Sequence, residues 1–301
     1  MAQADSADAT CYMFIDILGG GAVPDHEHWQ LDGSAPELYE RYLVPAITSI
    51  WASDLIKRIE PQPGQSILDI ACGTGIVARL VGERIAGGRV VGLDLNEGML
   101  AVARSVPIRG ARIEWLSGSA LSLPFDDGSF DLVLCQLGLQ FFPHRPRALR
   151  EMKRVLVPSG RVALSVYSAI ERTPAAHAFA RALDKCLGPD ASTTKRAEHI
   201  FPEADQVRAL MAKEGFKQIS VSTVTKRITF PSVLDYVRFQ LVATPMASLL
   251  ADRSATEREN AIRSIASDTA AYLDPQMRID GLLSFPQEAH VAIARNARSD
   301  H

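Results

Sequence analysis

A glycine-rich turn carries the residues of this chain with the clearest chemical potential. Residues 67–71 form an apolar run of strand length, and Cys72-Gly73-Thr74-Gly75 follows it directly. Glycines at such a turn let backbone N–H groups approach a ligand closely. Asp94 ends the next apolar run, 19 residues beyond Gly75, a spacing that suits a carboxylate holding both ribose hydroxyls of an adenosine. The pattern therefore predicts an adenosine-containing cofactor.

Two classes of cofactor fit this turn. Residues 73–78 match the G-x-G-x-x-A pattern of dinucleotide-binding proteins. Asp69 lies four residues before Gly73, and a carboxylate there would repel a pyrophosphate but suit a cationic amino group. S-adenosylmethionine carries an ammonium and a sulfonium and no phosphate, so Asp69 favours this methyl donor. The alternative is a buried Asp69 that only caps the turn.

Composition excludes several classes of protein. The 301 residues are 47% hydrophobic and 22% charged, as in ordinary globular proteins. The formal net charge of −3 lacks the excess of positive charge that is typical of nucleic-acid-binding proteins. The four cysteines are scattered and form no C-x-x-C pair, so we predict neither a disulfide framework nor a metal site. Homo-oligomerisation stays open.

Location and the N-terminal segment are predicted from the same composition. The N-terminus is acidic where a secretory signal would be basic, and no apolar stretch is long enough to span a bilayer. Together with reduced thiols, this favours a cytoplasmic protein. Residues 1–33 are rich in Gly, Ala and Asp, and we predict a flexible leader there.

Strand-length apolar runs alternate with helical patterns between residues 66 and 167. This alternation predicts an α/β fold, a Rossmann-like, doubly wound, mostly parallel seven-stranded sheet. Helices should precede it, with a break at Pro45. We predict a core at residues 34–230 that includes those helices, a helical cap at 231–285 and a final strand with a tail at 286–301.

Four segments resemble, in the right order, the motifs of class I S-adenosylmethionine-dependent methyltransferases, in the ubiquinone/menaquinone-type small-molecule group. They begin with Asp69-Ile70-Ala71-Cys72-Gly73-Thr74-Gly75 and continue through residues 91–100, 117–131 and 151–160. The resemblance implies that the turn lies against the methionine part of the cofactor, with Gln136 nearby, while Asp94 holds the ribose. It assigns cofactor contacts to Asp69, Cys72, Gly73, Gly75, Asp94, Leu95, Met99, Ser119, Ala120 and Gln136.

Ser119 departs from the family pattern. Leu95 and Met99 are expected to flank the adenine, and Ser119 with Ala120 to meet its edge. The family usually has Asp at the place of Ser119, where it accepts a hydrogen bond from the adenine amino group. Serine can accept that bond but is shorter and uncharged. A simple turn residue is the alternative interpretation.

The general base is harder to find. Related natural-product O-methyltransferases have a pair of histidines after the fourth strand, where this chain has Gln140 and Phe141. Gln140 can orient an acceptor by hydrogen bonding, or simply make a loop contact. Glu171 and His177 follow the fifth strand at the ligand-binding end, so we name Glu171, His177 and Gln140 as catalytic candidates. Glu171 could equally cap the helix that begins near Pro174.

Other polar residues receive structural interpretations. Lys195, Arg196 and His199 form a basic cluster that would favour an anionic acceptor if it faced the pocket, but a solvated face is favoured. His144 is interpreted as a loop or helix N-cap neighbour and His290 as a structural residue. Apolar side chains between residues 236 and 250 suggest a hydrophobic acceptor, although they would pack any helical cap.

We therefore expect an S-adenosylmethionine-dependent methyltransferase acting on the oxygen or carbon of a small, lipophilic molecule, in specialised or quinone/isoprenoid-type metabolism. A nicotinamide-dependent oxidoreductase is one alternative; Asp69 and the lack of a Tyr-x-x-x-Lys pair oppose it. A non-catalytic adenosylmethionine-binding scaffold is the other, suggested by the missing base.

Overall fold

A twisted sheet with helices on both sides organises the chain. The computed structural model describes residues 34–296, so the predicted leader at 1–33 lies outside the described residues. The strands are β1 (Ser66–Ile70), β2 (Arg89–Asp94), β3 (Ile113–Ser117), β4 (Phe130–Gln136), β5 (Leu156–Tyr167), β6 (Phe216–Phe230), β7 (Arg278–Ile279) and β8 (Leu282–Asn296). The α-helices are α1 (Ala35–Leu38), α2 (Ser49–Ile59), α3 (Ile76–Gly82), α4 (Glu97–Ser105), α5 (Arg145–Val155), α6 (Pro174–Leu187), α7 (Thr193–Ala197), α8 (Ala204–Lys213), α9 (Val233–Val242) and α10 (Ala255–Tyr272).

Strand order confirms the predicted fold class. The order is β3-β2-β1-β4-β5-β8-β6, with β7 pairing only to the edge of β8. The pairs among β1 to β5 are parallel, and β8 lies antiparallel between β5 and β6. The chain leaves β1 toward β2 and later returns to its other side as β4. This reversal creates a crevice at the carboxyl ends of β1 and β4, where doubly wound sheets bind ligands.

Residue composition explains why these strands lie in the middle. Strands covered on both faces read as continuous apolar runs, and Leu132, Val133, Leu134 and Cys135 of β4 are all fully buried. One apolar cluster contains Leu68 and Val133 and faces α5, while another contains Ile67 and Leu132 and faces α2 and α3. Successive residues of one strand therefore pack into opposite layers of the fold.

The N-terminal helical segment differs from its prediction. A π-helical stretch, Tyr39–Thr48, joins α1 to α2 without interruption and contains Pro45, so the predicted break at Pro45 is wrong. A π-helical turn is wider than an α-helical one and relieves the clash of a proline ring with the preceding turn. The Pro45 carbonyl accepts a hydrogen bond from the Ser49 hydroxyl at 3.2 Å.

The helices α9 and α10 lie between β6 and β8, within the segment predicted as a cap. The strand β8 begins at Leu282, four residues before the predicted start of the last segment at 286. Apolar residues of this region are buried, including Tyr236, Phe239 and Met246, so they pack these helices together as the alternative interpretation held. No helix in residues 34–296 is both long enough and apolar enough to cross a bilayer.

Candidate active site

The turn after β1 brings backbone close to the crevice. Both Gly73 (φ +56°) and Gly75 (φ +90°) adopt left-handed backbone conformations, which glycine tolerates best. A Cβ at Gly75 would lie 2.2 Å from the Trp115 ring, whereas one at Gly73 would meet nothing within 4 Å. The Trp115 ring therefore leaves room only for glycine at position 75, whereas the space beside Gly73 is open in front of the turn.

Asp94 joins this turn to the end of β2. Its Oδ2 accepts a hydrogen bond from Gly73 N at 2.8 Å, and its Oδ1 accepts one from Asn96 N at 2.8 Å. Each carboxylate oxygen has a further lone pair, so the group can still accept hydroxyl hydrogens. The neighbouring Leu95 side chain is 76% exposed and offers an apolar surface beside the carboxylate.

Asp69 is buried beneath the turn. Its Oδ2 accepts a hydrogen bond from Ala78 N at 3.1 Å, so the carboxyl caps the start of α3. Burial, and then the negative charge of Asp94, raise the pKa of Asp69 to about 8. A carboxyl with this pKa is largely protonated at neutral pH, and a cation bound beside it would favour the ionised form.

Polar groups without partners mark the crevice. Gln136 ends β4 and donates from Nε2 to the Thr48 carbonyl at 3.0 Å, while its buried Oε1 finds no donor in residues 34–296. Gln140 is 2% exposed, and neither atom of its side-chain amide has a partner within the described part of the chain. Buried amide groups are rarely left unpaired, which makes both side chains candidates for contacts with a ligand.

Of the residues expected around the adenine, Leu95 lies between β2 and α4, Met99 lies on α4, and Ser119 and Ala120 lie in the loop after β3. Ser119 Oγ accepts a hydrogen bond from Leu121 N at 3.2 Å, and Ser119 forms a bridge with Ser122. This is the geometry of a turn residue. Ala120 is buried and Met99 is half-buried. The adenine roles of these residues remain predictions.

Two contacts around the turn were missed from the sequence. Trp115 of β3 packs under Gly75 and would also clash with a Cβ at Gly92 of β2. The guanidinium of Arg79 donates a hydrogen bond to the Thr74 carbonyl and forms an ion pair with Glu40 at 2.7 Å. These two contacts hold the N-terminal helical segment against the turn after β1. A mid-strand glycine such as Gly92 was the available signal for a bulky neighbour.

The catalytic candidates are dispersed. Glu171 lies in a short 3₁₀ turn, is exposed, and makes no hydrogen bond or ion pair that involves residues 34–296. It does not cap α6, whose N-cap is Thr173 without a side-chain cap bond. His177 is half-buried in the first turn of α6. The catalytic roles of Gln140, Glu171 and His177 remain predictions.

His144 and His290 have structural partners. His144 is the N-cap of α5 and accepts a hydrogen bond from Arg147 N at 3.2 Å. His290 of β8 contacts the Thr223 hydroxyl at 3.0 Å and the Pro202 carbonyl at 3.3 Å. Both structural interpretations are confirmed.

Two residues of the basic cluster, Lys195 on α7 and His199 just after it, are buried, so the interpretation as a solvated face is wrong for them. Lys195 is 6% exposed, and its Nζ donates to Glu198 Oε2 at 2.7 Å and to Gln240 Oε1 of α9 at 3.0 Å. His199 is 7% exposed and stacks on Tyr167 with ring centroids 5.2 Å apart. Lysine is rarely buried unless it is paired, and here Glu198 and Gln240 satisfy it. Arg196 instead pairs with Asp184 near the surface.

Breaking the buried Lys195–Glu198 pair should be costly. We expect Lys195→Met to lower the free energy of unfolding by about 3–5 kcal/mol, because it leaves a buried carboxylate without compensation. Urea unfolding followed by circular dichroism measures the change. The double variant Lys195→Met/Glu198→Gln should recover most of it, and Lys185→Met, which breaks an exposed pair with Asp268, should change little. Equal losses in Lys195→Met and Lys185→Met would contradict the account.

Comparison with known proteins decides the class of this site. The model of the ubiE/COQ5 methyltransferase family matches residues 42–230, which contain β1 to β6 and the turn after β1. The chain belongs to the ubiE/COQ5 methyltransferase family. This methyltransferase depends on S-adenosylmethionine, so the predicted enzyme class and cofactor are confirmed and the oxidoreductase alternative is not favoured.

Relatives with assigned activities share the same core. A 2-phytyl-1,4-naphthoquinone methyltransferase of Thermosynechococcus vestitus is 41% identical over 120 residues, which cover 40% of this chain and 53% of that protein. A demethylmenaquinone methyltransferase of Corynebacterium kroppenstedtii is 30% identical over 203 residues, which cover 65% of this chain and 83% of that protein. The match to the first relative thus spans only about half of that protein's length.

Solved structures show the fold. Phosphoethanolamine N-methyltransferase 2 of Haemonchus contortus, in complex with S-adenosyl-L-methionine, aligns with a TM-score of 0.52 at 21% identity. The alignment covers 82% of this chain and 52% of that one. At this identity the likeness supports the shared Rossmann-like core.

Proposed function

We propose that this methyltransferase methylates a lipophilic, naphthoquinone-type ring in its reduced, hydroxylated form. The two relatives described above act, by their names, on rings of that type. The reduced form is proposed because an electrophilic methyl group reacts with an electron-rich ring and not with an electron-poor quinone. The observation that carries the methyl-transfer site is the set of unpartnered buried atoms of Gln136 and Gln140 at the carboxyl end of β4.

The residues present fit S-adenosylmethionine. The open space in front of Gly73 and the free Oε1 of Gln136 suit the methionine part, whose ammonium can donate to that oxygen. The Asp94 carboxylate, which accepts a hydrogen bond from Gly73 N, would accept the ribose hydroxyls, and the exposed Leu95 would cover the adenine. When bound, the cofactor supplies an electrophilic methyl group on a sulfonium.

The chain's own residues would then position the acceptor. Methyl transfer depends strongly on in-line orientation, and Gln140 lies one short loop beyond Gln136 with a free amide. We propose that the Gln140 amide holds an acceptor oxygen, while the side chain of Tyr167 closes the pocket at the end of β5. Glu171 and His177 stay secondary candidates, since Glu171 is exposed and His177 is only half-buried.

Cofactor affinity should depend on pH through Asp69. Before binding, its pKa is about 8, and a cation beside it favours the ionised form. Binding therefore releases a proton below pH 8, and affinity should rise with pH by up to about tenfold per unit between pH 6 and 7.5. Isothermal titration of S-adenosylmethionine measures this slope. Asp69→Asn should flatten it, and a flat wild-type profile over this range would contradict the role of Asp69.

The proposed activity is tested by incubating the protein with labelled S-adenosylmethionine and a reduced, unmethylated 1,4-naphthoquinone bearing an isoprenoid tail. Label in the lipid-extractable product supports the proposal. Binding of the cofactor without transfer to this acceptor, or to a panel of phenols and isoprenoid acids, would favour the non-catalytic scaffold. We also propose a cytoplasmic location, consistent with the free thiols of Cys72, Cys135 and Cys186.

A further inference from the structure

A buried polar cluster lies beside the end of β5, outside the residues assigned to the cofactor. We define the α7 cluster as Lys195, Glu198, His199 and Gln240, each at most 7% exposed. Lys195 and Glu198 form an ion pair that α9 shares through Gln240. Burying charged groups is costly, and such groups with a specific charge partner are often found at functional sites. The cluster is therefore worth testing for a role in acceptor recognition.

His199 has one defined tautomer in this cluster. Its Nδ1 lies 2.7 Å from the Ser168 carbonyl oxygen, which can only accept, so Nδ1 carries the hydrogen and Nε2 carries the lone pair. Burial, and then the positive charge of Lys195, lower the pKa of His199 to about 3. The ring is thus neutral at physiological pH, and Nε2 is a hydrogen-bond acceptor for which residues 34–296 provide no donor.

The imidazole is at the ligand-binding end of the sheet. Its ring stacks on Tyr167, the last residue of β5, at an interplanar angle of 22°. Ser165 of β5 pairs in register with Gln136 at the end of β4, so Tyr167 lies just beyond the level of the crevice.

We infer that Nε2 of His199 accepts a hydrogen bond from a hydroxyl of the methyl acceptor and thereby selects the reduced ring over the quinone. A quinone carbonyl has no hydrogen to donate and would place its lone pairs against that of Nε2. A buried acceptor left unpaired costs about 1–3 kcal/mol, which corresponds to roughly 5- to 150-fold in affinity. This inference rests on the proposed function, since it assumes a hydroxylated aromatic acceptor.

The experiment compares two probes that differ in whether the ring oxygen carries a hydrogen or a methyl group. 1-Naphthol and 1-methoxynaphthalene are titrated calorimetrically into the full-length protein saturated with S-adenosylhomocysteine. The wild type should bind 1-naphthol at least tenfold more tightly. The variant His199→Asn keeps an amide donor for the Ser168 carbonyl but lacks Nε2, and its preference should fall below about threefold. His199→Phe, which keeps the stacking on Tyr167, should lose the preference as well.

The control is His290→Asn. His290 is 3% exposed, and its partners are Thr223 and the Pro202 carbonyl. This variant should lose stability but keep the tenfold preference. If a folded His199→Asn or His199→Phe protein still prefers 1-naphthol, the role of His199 is overturned while the proposed function stands. Failure of the cofactor-loaded wild type to bind either probe overturns the acceptor class, and this inference with it.

Discussion

Asp94→Ala should weaken S-adenosylmethionine binding by at least 100-fold. The Asp94 carboxylate accepts hydrogen bonds from Gly73 N and Asn96 N, and it is expected to accept the ribose hydroxyls as well. Hydrogen bonds to a charged group contribute about 1.5–3 kcal/mol each, so losing those to the ribose alone exceeds a 100-fold change. Isothermal titration on protein with a verified folded fraction measures the effect.

The matched control is Glu114→Ala. Glu114 lies on the neighbouring strand β3 and pairs with Arg89 at 3.0 Å, and both side chains are exposed. This change removes an acid of the same sheet without touching the turn after β1, so cofactor affinity should stay within about twofold, as expected for an exposed ion pair. If Asp94→Ala bound the cofactor as well as Glu114→Ala did, Asp94 would not hold the ribose.

Gly75→Ala and Gly73→Ala should fail in different ways. The Gly75 variant places a Cβ 2.2 Å from the Trp115 ring in a left-handed backbone conformation, and we expect a loss of about 3–5 kcal/mol in the free energy of unfolding. The Gly73 variant meets no neighbour, so it should lose only about 1–2 kcal/mol. Its new methyl group occupies the space where the cofactor approaches, and affinity should fall at least 30-fold.

Urea unfolding and calorimetric titration on the same preparations separate these effects. Replacing Trp115 by Leu in the Gly75→Ala background should restore part of the stability, because it removes the ring that the new Cβ would meet. A stable Gly75→Ala protein, or a Gly73→Ala protein with unchanged cofactor affinity, would contradict the geometry of the turn.

The core of the fold was predictable because local pattern and tertiary position agree there. The alternation of apolar runs with helical patterns predicted a doubly wound sheet, and Leu132, Val133, Leu134 and Cys135 of β4 are fully buried within it. The positions of Gly73 and Asp94 in the sequence predicted a cofactor-binding turn. In the structure the Asp94 carboxylate accepts a hydrogen bond from Gly73 N at 2.8 Å, so the two residues lie together. Both features depend on residues whose neighbours in space follow directly from strand order.

The parts that were missed depend on contacts between distant segments. The charged run at Lys195 resembles an exposed face, yet Gln240 of α9 and Glu198 bury it. Trp115 contacts Gly75 from two strands away, and no local pattern encodes that approach. The protonation of Asp69 follows from its burial and from Asp94, and sequence spacing carries no information on either. Pro45 was misjudged because a π-helical turn accommodates it.

The most direct test of the central claim measures transfer and binding together. The full-length protein is titrated with S-adenosylmethionine and separately with NAD, and then assayed with labelled methyl donor and a reduced naphthoquinone with an isoprenoid tail. We predict micromolar or tighter binding of S-adenosylmethionine (roughly −8 kcal/mol), no measurable binding of NAD, and label recovered in the lipid product. Tight NAD binding without adenosylmethionine binding would contradict the account.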